Sequence, residues 1–384
     1  MLELPPLSLY VHIPWCVRKC PYCDFNSHEQ QGELPQQEYI QALCEDLDND
    51  LDWVQGRTLT SIFIGGGTPS LFDAAALSEL LQHIDWRIGI SALAEITLEA
   101  NPGTAEAGRF RDYYLSGINR LSIGIQSFND DSLQRLGRIH DSAQAVKAVD
   151  LARQAGFDNI NLDLMHGLPE QAKAGAMADL DQAVAFEPEH ISWYQLTIEP
   201  NTYFYRHRPP LPADNILESI QDRGSERLAT AGYAQYEVSA FSRGTRQSMH
   251  NLNYWCFGDY LGIGAGAHGK ITLPASDRIL RSRKVKQPRH YLASQLGRKA
   301  ESVAVESEER AVEFLLNALR QPDGFPVSQF EARTGLPFSH IGKRVEYLQQ
   351  QGLLLSEDGF IRTTDRGYQL LNTVLEKFID GPID

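Results

Sequence analysis

The chain alternates two hydrophobic rhythms. Short apolar, β-branched runs bounded by polar residues predict strands over residues 7–12, 60–64, 95–100, 120–126, 159–165 and 191–197. Between them, apolar residues at three- and four-residue spacing predict helices over 38–53, 74–84, 105–115, 143–154 and 176–186, with Gly117 and Gly156 placed to end two of them. About six βα units result, fewer than the eight of a closed barrel, so the expected fold is α/β: an open, partial (β/α)6 TIM-like barrel with its functional groups at the C-terminal ends of the strands. The rhythm then loosens. A helix over 215–231, an apolar stretch over 233–241 and the glycine-rich run 259–269 are expected as strands and loops packed beside the barrel.

Beyond Arg298 the pattern changes again. Helices are predicted over 308–320, 327–334 and 340–350, followed by a small hairpin over 353–361 around Glu357-Asp358-Gly359, the order of a winged-helix-like α+β module. The expected division is a partial-barrel domain with a flanking β/loop extension over 1–300 and a C-terminal domain over 301–384. At 384 residues and 42% hydrophobic content the chain can bury a sizeable core. No apolar run approaches the ~18 residues of a membrane-spanning helix, and the start is not signal-like, so a soluble cytoplasmic protein is expected. Peripheral membrane contact stays open. A net charge of −15 argues against nucleic acid as partner, because phosphate binding draws on a basic face. The one basic segment, Arg278, Arg281, Arg283, Lys284, Lys286 and Arg289, reads as a solvated loop.

The candidate chemistry starts at Cys16, Cys20 and Cys23, three of the five cysteines, in C-x3-C-x2-C spacing just after the first predicted strand. Three thiolates on so short a loop can converge on one polynuclear centre, and three ligands leave one metal position open. A zinc site more often pairs C-x2-C arms, and none follows; an odd cysteine count speaks against a disulfide framework. Cys44 falls in a helical pattern and is expected to be packed. Gly65-Gly66-Gly67-Thr68-Pro69 follows the second predicted strand, where missing side chains let backbone approach a ligand. No Gly-Lys-Ser/Thr follows, so it is not a P-loop. Glu99, Gln126 and Asp163 recur at or near the ends of apolar strands, a costly placement unless these groups bind a ligand or one another. His250-Asn251-Leu252-Asn253-Tyr254-Trp255 offers an axial nitrogen and aromatic faces of the kind a heme needs, with Cys256 as a rival ligand.

The cysteine loop, with its flanking Tyr10-Val11-His12-Ile13-Pro14-Trp15 and Cys20-Pro21-Tyr22-Cys23, resembles the radical S-adenosylmethionine (SAM) superfamily, within it the oxygen-independent coproporphyrinogen III oxidase branch, and there the heme-chaperone group. The resemblance implies a 4Fe-4S cluster on Cys16, Cys20 and Cys23, whose open iron takes the amino and carboxylate groups of SAM and passes an electron to its sulfonium to give a 5'-deoxyadenosyl radical. It implies that Tyr10, Gly66 and Glu99 contact this SAM. Tyr22, Gly67, Thr68, Gln126, Arg138 and Asp163 match positions that hold a second SAM. The motif at His250 matches the heme motif of the chaperones, so heme, heme-accepting proteins and an electron donor for the cluster are the implied partners. The oxidases carry a further cysteine where this chain has Phe25, and an extension ahead of the first strand where few residues precede Leu7. Both departures favour the chaperone over the enzyme that decarboxylates coproporphyrinogen III to protoporphyrinogen IX.

Overall fold

A computed structural model describes residues 1–103, 108–294 and 298–379. Six strands appear where the apolar runs predict them: β1 (Leu7–Ile13), β2 (Leu59–Gly66), β3 (Ile90–Ala100), β4 (Arg120–Gln126), β5 (Ile160–His166) and β6 (His190–Gln195). They pair in that order and all in parallel. Their near-continuous burial, with Leu7, Leu9, Val11 and Ile13 of β1 wholly inaccessible, is what a parallel sheet covered on both faces requires. The intervening helices are α1 (Gln36–Asp48), α2 (Ala74–Arg87), α3 (Phe110–Leu115), α4 (Ser142–Ala155) and α5 (Lys173–Ala185). Part of the helix expected over 105–115 lies outside the described residues. An Asp141/Gln144 capping box opens α4, and Gly156 in the left-handed region closes it.

The sheet does not stop at six strands. After α6 (Asp214–Thr230), strands β7 (Ala234–Glu237) and β8 (Ala240–Ser242) extend it antiparallel beyond β6. On the other edge β9 (Asp259–Ile263), reached through helix α7 (Met249–Trp255), pairs in parallel with β1, and β10 (His268–Leu273), β11 (Arg278–Lys284) and β12 (Lys299–Ala304) continue antiparallel. Among the described residues this makes twelve strands in the order β12-β11-β10-β9-β1-β2-β3-β4-β5-β6-β8-β7. The glycine-rich run expected beside the barrel thus supplies a seventh parallel strand. Its glycines conceal the strand pattern because packing demands them: a Cβ on Gly262 would lie 1.9 Å from the carbonyl oxygen of His268.

Four residues of the basic segment, Arg278, Arg281, Arg283 and Lys284, lie on strand β11 and not in a solvated loop, while Lys286 and Arg289 beyond it are exposed. Arg281 pairs with Glu313 and Arg283 with Glu301, while the ammonium of Lys284 lies 2.6 Å from both Asp46 and Asp50 of α1 and the turn after it. All three members of that last group are buried. Burial pushes the carboxyl of Asp46 up, and Lys284 and the Tyr291 hydroxyl oppose the shift. The C-terminal region packs α8 (Ser307–Ala318), α9 (Val327–Thr334) and α10 (Ser339–Gln350) against an antiparallel sheet of β13 (Phe325–Pro326), β14 (Leu354–Glu357) and β15 (Phe360–Thr363), and two further helices, α11 (Asp365–Gln369) and α12 (Leu371–Ile379), follow the hairpin. Phe314, Phe325 and Phe330 form its core, which also takes in Leu2, Phe257 and Ile279.

Lys284→Met should leave two buried carboxylates short of their shared cation and cost ~3–5 kcal/mol, read from the urea midpoint. A second expectation concerns pH. His140 and His166 are held down to about 4 and His250 to about 3, each chiefly by burial, and burial holds His190 well below its ordinary value. Below the ordinary imidazole value near 6.5 the unfolded chain takes up protons that the native state refuses. The contribution of these histidines is therefore complete above about pH 6.5 and falls on acidification, by about 1.4 kcal/mol per pH unit for each, while Glu99 and Asp179, raised to about 7 and about 6 chiefly by burial, act in the opposite sense. Urea titrations of the metal-free protein and of His166→Gln at pH 7 and pH 5 measure the histidine part: the variant should lose less stability on acidification than the parent, and equal losses would contradict it.

Candidate functional site

The loop that carries the three cysteines has little structure of its own and is pinned from several sides. Trp15 and Cys16 pair in parallel with His28 and Glu29, closing the loop at its base. Lys19 reaches back to donate to the carbonyls of Phe25 and Ser27, and its backbone amide donates to Glu29. The side-chain amide of Asn26 donates to the carbonyls of Ala265 and Lys286, beyond β9 and β11. The amide of Phe204 donates to the Pro21 carbonyl from the β6 side. The thiols of Cys16, Cys20 and Cys23 thereby face one cavity of about 480 Å³ at the C-terminal ends of the strands.

The glycine run continues β2 into this loop. The amides of Gly67 and Thr68 donate to the carbonyls of Ile13 and Trp15, both at 2.7 Å. A Cβ on Gly66 would fall 2.5 Å from the His12 ring, and one on Gly67 2.5 Å from the Trp15 oxygen. Gly66 also has φ +117°, outside the range favoured by side chains. These glycines are therefore required first by the chain's own packing; room for a ligand follows from it. The Gly66 amide donates to Glu99, which ends β3. Burial pushes the Glu99 carboxyl up to about 7, with Asp163 reinforcing the shift and the Gly66 amide opposing it.

The residues singled out from the sequence fall around two cavities that meet at Gly66, Glu99 and the cysteine loop. The larger is lined by Tyr22, Gly67, Thr68, Gln126, Arg138 and Asp163 together with the three cysteines. The smaller, about 390 Å³, is lined by Tyr10 and His12, with Gly66 and Glu99 common to both. Of the two groups assigned by resemblance to two SAM molecules, only Tyr10 is confined to the smaller cavity, and Gly66 and Glu99 of the first group also line the larger one with the second. Asp163 accepts from Ser122 and Asn161, and burial raises its carboxyl. Gln126, at φ +69°, accepts from the Tyr194 hydroxyl at 2.9 Å. Arg138 donates to the carbonyl of Gly124, to Asn101 and, at 3.6 Å, to the sulfur of Cys20. Ser27 lies 3.6 Å from the sulfur of Cys23. Three thiols with a cation and a hydroxyl against two of them suit an anionic iron–sulfur cluster.

Asn101, Ser122, Tyr194 and Ser192 are wall residues that the sequence reading missed. Asn101 follows the noted Glu99 by two positions, a usable signal; the others acquire their role only from the register of neighbouring strands.

His250, expected as an imidazole offered to a macrocycle, is 1% exposed. Its Nδ1 meets the Ser61 hydroxyl and its Nε2 the Tyr254 hydroxyl, each at 3.0 Å, so both ring nitrogens are engaged. Tyr254 packs edge-on to both His250 and Tyr260 and lines the smaller cavity, between that cavity and the imidazole. Trp255 faces Arg320 of the C-terminal region instead of a ligand surface. Cys256, partly exposed, ends α7. Cys44 is half-buried in α1 against the core, as expected.

Residues 10–181 match the radical SAM superfamily and residues 305–370 the HemN C-terminal domain. The heme chaperone HemW of Escherichia coli K12 is 50% identical over 380 residues, covering 99% of this chain and all of the relative. That of Haemophilus influenzae is 51% identical with 99% of each chain covered, and that of Bacillus subtilis 33% with 97% and 99%. The solved coproporphyrinogen III oxidase HemN of E. coli superposes with a TM-score of 0.83 over 98% of this chain and 90% of its own, at 23% identity, a likeness of fold. No helix among the described residues is long and apolar enough to cross a membrane. The chain belongs to the HemW family of the radical SAM superfamily.

Proposed function

We propose that this protein is a heme chaperone: that it holds a 4Fe-4S cluster on Cys16, Cys20 and Cys23, binds SAM beside it, and binds heme for transfer to heme-requiring proteins in the cytoplasm. The observation that carries the site is the facing of three thiols onto a cavity whose other walls are a glycine turn, two carboxylates with raised pKa and a half-buried cation. Full-length similarity to proteins named heme chaperones supports the heme part. When bound, the cluster supplies one electron to the SAM sulfonium; that electron has to come from an external donor.

The chain's own residues do the placing. Glu99, near 7, can take a hydrogen bond from the SAM ammonium alongside the one it accepts from Gly66, while Tyr10 closes the opposite wall of the smaller cavity. A second SAM, or another ligand with a carboxylate, would have Arg138 for its anion and Asp163 and Gln126 for its donors in the larger cavity. We propose His250 as the axial heme ligand, reached once the Tyr254 hydroxyl leaves Nε2. The imidazole is kept neutral by burial, the state that coordinates iron.

Anaerobic reconstitution should give four irons per chain, and Cys→Ala at position 16, 20 or 23 should abolish the visible cluster absorption; four irons retained by the triple variant would end the assignment. Heme affinity, followed by the Soret band, should drop at least tenfold in His250→Ala and stay near the parent value in Cys256→Ala. Loss confined to the Cys256 variant would move the ligand to the thiolate. Absence of saturable heme binding, together with vinyl product from coproporphyrinogen III and SAM, would replace the chaperone by the oxidase.

A further inference from the structure

Arg138 occupies an unusual position for a cation. It lines the larger cavity, and its acceptors are a backbone carbonyl, an amide oxygen and a thiol sulfur, with no carboxylate among the described residues in contact. Its Nε is shut off from solvent without any hydrogen-bond partner. A guanidinium in such a wall gains from an anion nearby, and the sulfur of Cys20, 3.6 Å away, would be one as a cluster ligand.

The side chain is also held so that it cannot turn away. One Nη is bracketed by the Gly124 carbonyl and Asn101, and the Asn101 amide nitrogen donates in turn to the Thr68 hydroxyl at 3.0 Å. That leaves the other Nη directed at the Cys20 sulfur. The bracket therefore joins strand β4, the end of β3 and the glycine turn to one cysteine of the loop. A hydrogen bond to a ligand sulfur and a neighbouring positive charge both favour the reduced, more negative state of an iron–sulfur centre.

We infer that Arg138 is a positioning residue for the cluster, fixing Cys20 and raising the cluster's reduction potential through its N–H···S contact, so that its cation serves the cluster before it serves any ligand in the larger cavity. The inference rests on the proposed cluster at Cys16, Cys20 and Cys23. It goes further in assigning to Arg138 an electrostatic role that SAM binding alone would not give it. Asn101 is the device that holds the guanidinium to that role.

The test is an anaerobic redox titration of the reconstituted protein without SAM, followed by electron paramagnetic resonance of the reduced cluster, for the parent, Arg138→Gln, Arg138→Lys and Asn101→Ala. Iron content is measured first. A parent without four irons fails the cluster reading itself and not this inference. With iron retained, the potential should fall in Arg138→Gln, fall less in Arg138→Lys, which keeps the charge without the fork, and shift in the same direction in Asn101→Ala. Should the Arg138 variants not fold, Asn101→Ala decides. A parental potential in any iron-replete Arg138 variant, or in Asn101→Ala where only that variant folds, overturns the inference. A potential that changes only when SAM is added overturns it as well, since that would place the cation on the ligand.

Discussion

The site depends on a single steric condition, that three backbone segments approach more closely than any side chain permits. Gly66 and Gly67 pack on the His12 ring and the Trp15 carbonyl, Gly264 on the His12 carbonyl, and Gly266 on the Asn26 side chain. Each missing Cβ would otherwise lie about 2.5 Å or less from its neighbour. The cysteine loop takes its position from these contacts, because it has only a two-residue ladder of its own. The geometry at Cys16, Cys20 and Cys23 is thus inherited from the ends of β1, β2 and β9 and not made by the loop. Rigid elements can hold a ligand set more closely than a loop can.

The same strand ends establish the electrostatics. Tyr39, wholly buried in α1, donates its hydroxyl to the His12 carbonyl and accepts the Ala265 amide, tying the last residues of β1 to the turn after β9. Two turns further along, Asp46 accepts from the Gly264 amide, the Tyr291 hydroxyl and Lys284. Buried ionic groups of this kind contribute orientation more than net stability, since desolvation offsets much of the attraction. In the cavities the balance differs. Glu99 and Asp163 are both pushed toward the neutral form by burial, and the cation of Arg138 has no carboxylate in contact among the described residues. An otherwise acidic protein therefore presents a cavity wall that favours anionic groups.

Helix α7 connects this region to the rest of the molecule. Ser248 caps it and contacts Glu95, a residue of β3, while His250 bonds Ser61 of β2 and Tyr254. Gln329 of the C-terminal region donates to the Cys256 carbonyl, and Arg320 lies over Trp255. The heme-type motif consequently sits between the barrel interior and the C-terminal helices, and Tyr254 is its one aromatic side chain that reaches a cavity.

Sequence alone determined the six parallel strands, most of the helices and the C-terminal order of helices and hairpin, because each is written in a local period of apolar residues. It also located the cysteines, the glycine turn and the polar strand ends, since polar groups at the end of an apolar run stand out against their surroundings. What it did not determine was anything that depends on register between distant segments. The strand at Asp259–Ile263 was hidden because contact with His268, 6 residues on, and with β1 replaces its larger side chains by glycine. Lys284 appeared to belong to a solvated basic run, for its two carboxylates lie 238 and 234 residues away in the chain. His250 carried the same letter whether exposed to a macrocycle or enclosed by Ser61 and Tyr254. Only the tertiary structure decided between them, because burial and hydrogen-bond partners are properties of the packed sheet and not of the sequence around the residue.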